Sequence, residues 1–245
     1  MSRKGNRFAR TGLDFIRACR RIKMNYKGKD IQFASLEQVM GTLSHLRKKE
    51  GVVFETKLPI LAGMGDQCYP FARDVRFPLE PEMFSLTYSW FDMDILREFG
   101  LSPTKENVSF DFTEDAVWEM FLLSETTRHL PLYWHAGYAS VRYILCKKDL
   151  KDLQAKHAGV SSITNLQGFS SLREARKMES YTDVSELLPN VTLVSDSEAV
   201  ISLTEWCEWG GLSQRTIRVK KARNGLRFLK PKVRYLVKYD CGICF

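Results

Sequence analysis

The chain has 245 residues, enough for one large domain or two small ones and enough to bury a sizeable core. Hydrophobic residues make up 44%, aromatics 12% and charged residues 27%, a globular profile that excludes wholesale disorder, a collagen helix and a coiled-coil rod. The formal charge is +8, and no apolar stretch reaches the roughly 18 residues of a membrane-spanning helix, so no transmembrane segment is expected.

Thr11 followed by Asp14 reads as a capping box opening a helix over Gly12–Met24. Phe15, Cys19 and Ile22 share one face of it, and Arg17, Arg20 and Arg21 the other, giving a basic amphipathic helix. Ser35 and Gln38 form a second capping box. Leu36, Val39, Met40, Leu43 and Leu46 then predict a helix running to Arg47–Lys49 and Gly51. Val52–Leu58 reads as a strand and Gly63–Asp74 as a loop. Phe84, Leu86, Tyr88 and Trp90 alternate as in a half-buried strand, and Asp92 caps a short helix ending at Gly100. A strand over Val108–Phe112 leads to a helix from Thr113 to about Thr127, with Glu114 and Asp115 at its positive end. Tyr138–Cys146 reads as extended and Asp149–His157 as helical.

From Ala158 to Ser171 the composition turns to Gly, Ser, Thr and Asn, the best linker candidate. Helices over Leu172–Ser180 and Asp183–Leu188 precede strands at Val191–Ser195 and Ala199–Glu205. Thr216–Lys221 and Leu226–Leu229 flank Asn224-Gly225, a hairpin signal, and Lys232–Tyr239 adds a further strand. The expected fold class is α+β, with mixed helices and antiparallel sheet. Its parts are a basic arm and helix (1–29), an acidic core (30–157), a linker (158–171) and a β-rich basic region (172–245) containing the hairpin and strand. Regions 30–157 and 172–245 also fit one continuous domain.

The +8 is the small sum of large blocks. Met1–Lys29 carries ten Lys or Arg against Asp14 alone, and Gln214–Phe245 ten against Asp240 alone, so each end is +9. Asp30–Ser213 holds 17 basic and 27 acidic residues, a balance of −10. Segregated basic ends attract polyanions. Folding them onto the acidic middle would neutralise them instead, but exposed ion pairs contribute too little to demand such density.

Period-two alternation sharpens the expectation. Val233, Tyr235, Val237 and Tyr239 point one way, and Lys232, Arg234, Leu236 and Lys238 the other; Ile217 and Val219 likewise oppose Arg218 and Lys220. With the apolar sides on one core, Arg218, Lys220, Lys232, Arg234 and Lys238 gather on one sheet face, which is costly without an anion to occupy it. The competing reading is lysine-protected edge strands. Trp206 and Trp209 beside this face read most simply as core or turn packing; stacked on unpaired bases instead, they would favour RNA or single-stranded DNA.

Catalytic signals are thin. Glu55-Thr56-Lys57 on a strand mimics the E-x-K element of metal-dependent nucleases, but its partner acid is missing; Asp92, Asp94, Asp111, Glu114 and Asp115 read more simply as helix caps and dipole partners. Cys241-Gly-Ile-Cys244 has metal-ligand spacing without a second pair. No nucleophile elbow accompanies His45, His129, His135 and His157, and no helix follows Gly63-Met-Gly65.

The expected function is therefore non-enzymatic. It is binding of nucleic acid or another polyanion through Arg17, Arg20, Arg21 and the sheet cations, alone or as a structural part of a nucleoprotein assembly or virus-like particle with protein partners. No cofactor and no metal is implied. The alternatives are a metal-dependent nuclease using Glu55 and Lys57, and a module for an acidic protein partner or anionic membrane. Six cysteines without a secretory signal fit an intracellular compartment, cytoplasmic or nuclear, while the Arg-rich start also suits a mitochondrial presequence.

Overall fold

A computed structural model describes residues 3–22, 32–58, 69–78, 100–130, 141–158, 168–223 and 225–241. The strand expected at Phe84–Trp90 and the helix expected after Asp92 lie outside them. The fold is α+β, with helices beside antiparallel sheets. The chain divides into two compact units: unit 1 is Met1–Leu13, Tyr138–Lys220 and Arg227–Phe245, and unit 2 is Asp14–Gly137 and Lys221–Leu226. Among the described residues no helix is long and apolar enough to cross a membrane.

The first helix, α1, runs Arg3–Arg20 and starts a full two turns before the expected capping box. Thr11 sits inside it and donates its hydroxyl to the Arg7 carbonyl at 3.2 Å, while Asp14 accepts from Arg17 at 3.4 Å. The reason is Phe8. It is fully buried, as are Phe15 and Cys19, so the apolar stripe begins two turns earlier and its burial outweighs the local cap signal.

Unit 2 holds a four-stranded antiparallel sheet of β1 (Gln32–Ser35), β3 (Val52–Leu58), β4 (Tyr69–Asp74) and β5 (Leu101–Ser102), in that order. β4 occupies the end of the stretch expected to be a loop; Phe71 and Ala72 are buried there, and the whole strand pairs with β3. The helix expected over Leu36–Leu46 is only the single turn α2 (Glu37–Met40). Its five apolar side chains are all buried as expected, but after Met40 the backbone continues in i→i−3 turns, Leu43 N–H to Met40 and Leu46 N–H to Leu43. The segment ends in β2 (Arg47–Lys48), paired with β6 (Val108–Ser109). α3 (Glu114–Ser124) is capped by Thr113, whose hydroxyl accepts from the Ala116 N–H at 3.2 Å. Every residue from Ala116 to Leu123 is buried, which makes it the central helix of the unit.

Unit 1 is built on β7 (Val141–Tyr143), β8 (Asn190–Ser195), β9 (Glu198–Cys207), β10 (Gly211–Ala222), β11 (Gly225–Phe228) and β12 (Lys232–Val237), except that the β10–β11 tip, Lys221–Leu226, belongs to unit 2. β9 and β10 form a long hairpin, β7 and β8 pair with β9, and β11 and β12 pair with β10. Helices α4 (Lys147–Lys156) and α5 (Leu172–Ser180) cover one end of one sheet face. There Leu150, Leu153, Ala175 and Met178 pack with Trp206, Leu212, Leu236 and Val237. Local signals explain both starts: Asp149 accepts from the Cys146 N–H at 3.0 Å, and Ser171 from the Glu174 N–H at 3.3 Å. The amide of Gln154 ties the helices together by donating to the carbonyls of Met178 and Tyr181. Asp183–Leu188, expected as a helix, is a turn. Phe169, at the end of the Gly/Ser-rich stretch, is buried and bridges to Tyr239.

Candidate nucleic-acid interface

In an antiparallel ladder, directly paired residues share a face. β10 pairs Gln214 with Arg234 and Thr216 with Lys232 on one side, and Arg218 with Val200 and Lys220 with Glu198 on the other. Gln214, Thr216, Arg218 and Lys220 alternate along β10, so the register puts Arg218, Lys220, Lys232 and Arg234 on one sheet face. This face has two halves. At one end Trp206, Leu212 and Val237 are buried beneath α4 and α5, whereas at the other all four cations are exposed.

The cations differ in how they are held. Arg218 and Lys220 both reach the Glu198 carboxylate, at 3.0 and 2.8 Å, and Lys220 foremost with Arg218 holds that carboxyl below its ordinary pKa. Arg234 donates to the Gln214 amide oxygen at 2.9 Å, which orients the guanidinium without neutralising it. Lys232 has no ion pair among the described residues. Glu198 and Gln214 were not singled out from sequence; their register opposite the basic positions becomes visible only once the β9–β10 hairpin is aligned.

Lys238 is not part of this face. Between Ser213 and Leu212 the partner on β12 jumps from Tyr235 to Val237, leaving Leu236 as a bulge. The alternation shifts by one, so Val237 shares the face of Leu212 and Lys238 falls past the strand end, its N–H donating to Glu174 at 2.8 Å. The bulge also explains why adjacent Leu236 and Val237 are both buried. Val233 and Tyr235, expected in the core, are 47% and 55% exposed, because β12 is an edge strand that the core does not reach.

Arg17, Arg20 and Arg21 are exposed, as amphipathicity implied, and belong to unit 2; Arg17 pairs with Asp14 across 3.4 Å. Trp206 cannot stack on a base, being 2% exposed and packed against Tyr239 and His157. Trp209 is 41% exposed in the turn between β9 and β10.

Glu55 takes two hydrogen bonds from Arg73, 2.8 and 3.2 Å, with both side chains less than one-fifth exposed. Asp111 pairs with Arg47 at 3.3 Å, and Asp92 and Asp94 lie outside the described residues. Among the described residues no group of three His, Cys, Asp or Glu is placed to hold a metal. Cys241 is a thiol and Cys244 lies outside; burial pushes the Cys19 thiol up to about 12, far from reactivity. His45 is locked to buried Glu119, its N–H and Nδ1 each 2.7 Å from a carboxylate oxygen, and burial pushes that carboxyl up. His129 packs edge-on against Phe15, and His157 against Phe169, Trp206 and Tyr239. His135 lies outside the described residues.

Comparison with protein-family models, curated proteins and solved structures gives no match for the chain.

Proposed function

We propose that the protein is a non-enzymatic nucleic-acid-binding protein, acting alone or as a structural part of a nucleoprotein assembly, that holds the phosphate backbone on the open half of the unit 1 sheet. The observation that carries this reading is the shared face of Arg218, Lys220, Lys232 and Arg234, opposed by Glu198 as its one carboxylate partner in the β9–β10–β12 register. Like charges on adjacent strands repel, and a phosphate chain relieves that repulsion while releasing counterions. Trp206 gives no support for base stacking, so the contact is to the backbone and carries no base preference. The Arg17, Arg20 and Arg21 group supplies a second set of cations on unit 2.

Fluorescence anisotropy with mixed-sequence oligonucleotides tests it. Log affinity should fall linearly with log salt, and Lys232→Gln with Arg234→Gln should reduce the slope by about 2. The double variant should also weaken single-stranded and duplex DNA or RNA alike. Absence of binding at low salt, or a slope unchanged in the double variant, refutes the sheet-face reading.

A further inference from the structure

A cationic feature distinct from the sheet face and from the Arg17, Arg20 and Arg21 group lies wholly within unit 2, at the tip of the β10–β11 hairpin. An open cleft of about 240 Å³ is lined there by Lys49, Glu106, Ser109, Phe110, Lys221 and Arg223, among others. We infer that this cleft is a phosphate-binding site, taking a free diphosphate or the terminal phosphate of an oligonucleotide.

Three features support it. The first is charge without neutralisation. Lys49 donates to the Glu106 backbone carbonyl at 2.8 Å, Lys221 lies 5.9 Å from the centre of the Phe112 ring, and Arg223 makes no ion pair among the described residues. None of the three has a carboxylate partner there, whereas Lys220 and Arg218, one and three residues before Lys221 on the same strand, share Glu198. Glu106 is the one acid of the lining, leaving cations in excess. The second is the wall: Val108, Phe110 and Ala222 line the same space, and apolar walls limit solvent screening of the cations' field. The third is size and shape. The volume lies below the roughly 300–1,000 Å³ typical of pockets for whole drug-sized ligands, which suits one or two phosphoryl groups. Gly225 borders it at φ +135°, a conformation that holds the hairpin turn and that a side chain would strain.

Calorimetric titration of the full chain with sodium diphosphate at low ionic strength, against a chloride control of equal ionic strength, tests the site. Saturable binding is expected, weakened about tenfold for each cation removed in Lys221→Gln and Arg223→Gln, since a charge-assisted hydrogen bond contributes about that factor. Ser109→Glu, which adds a carboxylate to the cleft and removes none of its cations, should abolish binding. Lys232→Gln with Arg234→Gln should leave it unchanged, which separates this site from the sheet face: either can fail while the other stands. Displacement of diphosphate by a 5′-phosphorylated oligonucleotide but not by its 5′-hydroxyl counterpart assigns the phosphate to a nucleic-acid end. Displacement by neither assigns it to a free ligand, and both results support the site. Binding no stronger than the chloride control, or equal binding by the Lys221→Gln, Arg223→Gln and Ser109→Glu variants with circular dichroism unchanged, overturns it.

Discussion

Glu55 and Arg73 hold each other through two hydrogen bonds in a site that water reaches only partly, and Arg73 also donates to the Phe77 carbonyl at 2.8 Å. An exposed strand glutamate would tolerate neutralisation within about 0.5 kcal/mol. This one is not exposed, so Glu55→Gln should cost about 1–3 kcal/mol by leaving a half-buried guanidinium underpaired, measured as a lower urea midpoint at unchanged slope. His129 makes a pH-dependent contribution. Burial first, with Arg128 and Arg20 assisting against the pull of Glu125, holds it down at about 4, whereas an unfolded histidine titrates near 6.5. Between these values the unfolded chain takes up a proton that the folded chain refuses, so stability falls as pH drops from about 6.5 to 4, by up to about 3 kcal/mol. Glu119 works with the opposite sign: burial raises its folded pKa, so its share is present below the unfolded carboxylate value and lost as pH rises through the raised one. Melting temperatures of the wild type and His129→Met should therefore diverge in slope between pH 4 and 6.5 and run parallel above; parallel curves throughout would exclude the assignment.

At the scale of elements, Gly211 shows how narrowly the β9–β10 turn is specified. Its φ is +80°, and a Cβ there would stand 2.2 Å from the Val237 carbonyl oxygen, backbone that cannot yield without shifting β12. Gly211→Ala should cost about 2 kcal/mol or more and loosen β12 before the rest of the sheet, seen as faster amide exchange at Tyr235 and Val237. Elements set by local chemistry were legible in the sequence: α3 opening at Thr113, α5 over Leu172–Ser180, and β3 over Val52–Leu58. The misread ones are those where tertiary burial or a bulge decides. Met40, Leu43 and Leu46 are spaced by three, which fits a helix face and a chain of i→i−3 turns equally; Gly41 and β-branched Thr42, poor helix formers, favour the turns. The sheet cations were legible through alternation, but Lys238 was not, because nothing in Tyr-Leu-Val marks Leu236 as the inserted residue. The cleft at the hairpin tip was invisible for another reason: Lys49 and Lys221 are 172 positions apart in the chain.

Over the whole molecule the charge also segregates by unit, though less sharply than by chain position. Unit 1 has 20 basic and 11 acidic residues, a balance of +9, and unit 2 has 17 and 18, a balance of −1. Self-repulsion within unit 1 is relieved by anything that binds the folded state with opposite charge. An oligonucleotide at about 100 times its Kd should therefore stabilise the protein by about 2.7 kcal/mol at low salt, raising the melting temperature by a few degrees, and the rise should vanish at high salt. A rise insensitive to salt would point away from backbone contact. The bulge at Leu236 bears on how such a surface changes over time. Residues 232–235 answer to solvent and ligand, and residues 236–237 answer to the core, so one strand carries two separable sets of demands. Substitutions that retune charge at 232–235 disturb no packed side chain, which lets affinity on this face drift under selection while the fold is left alone.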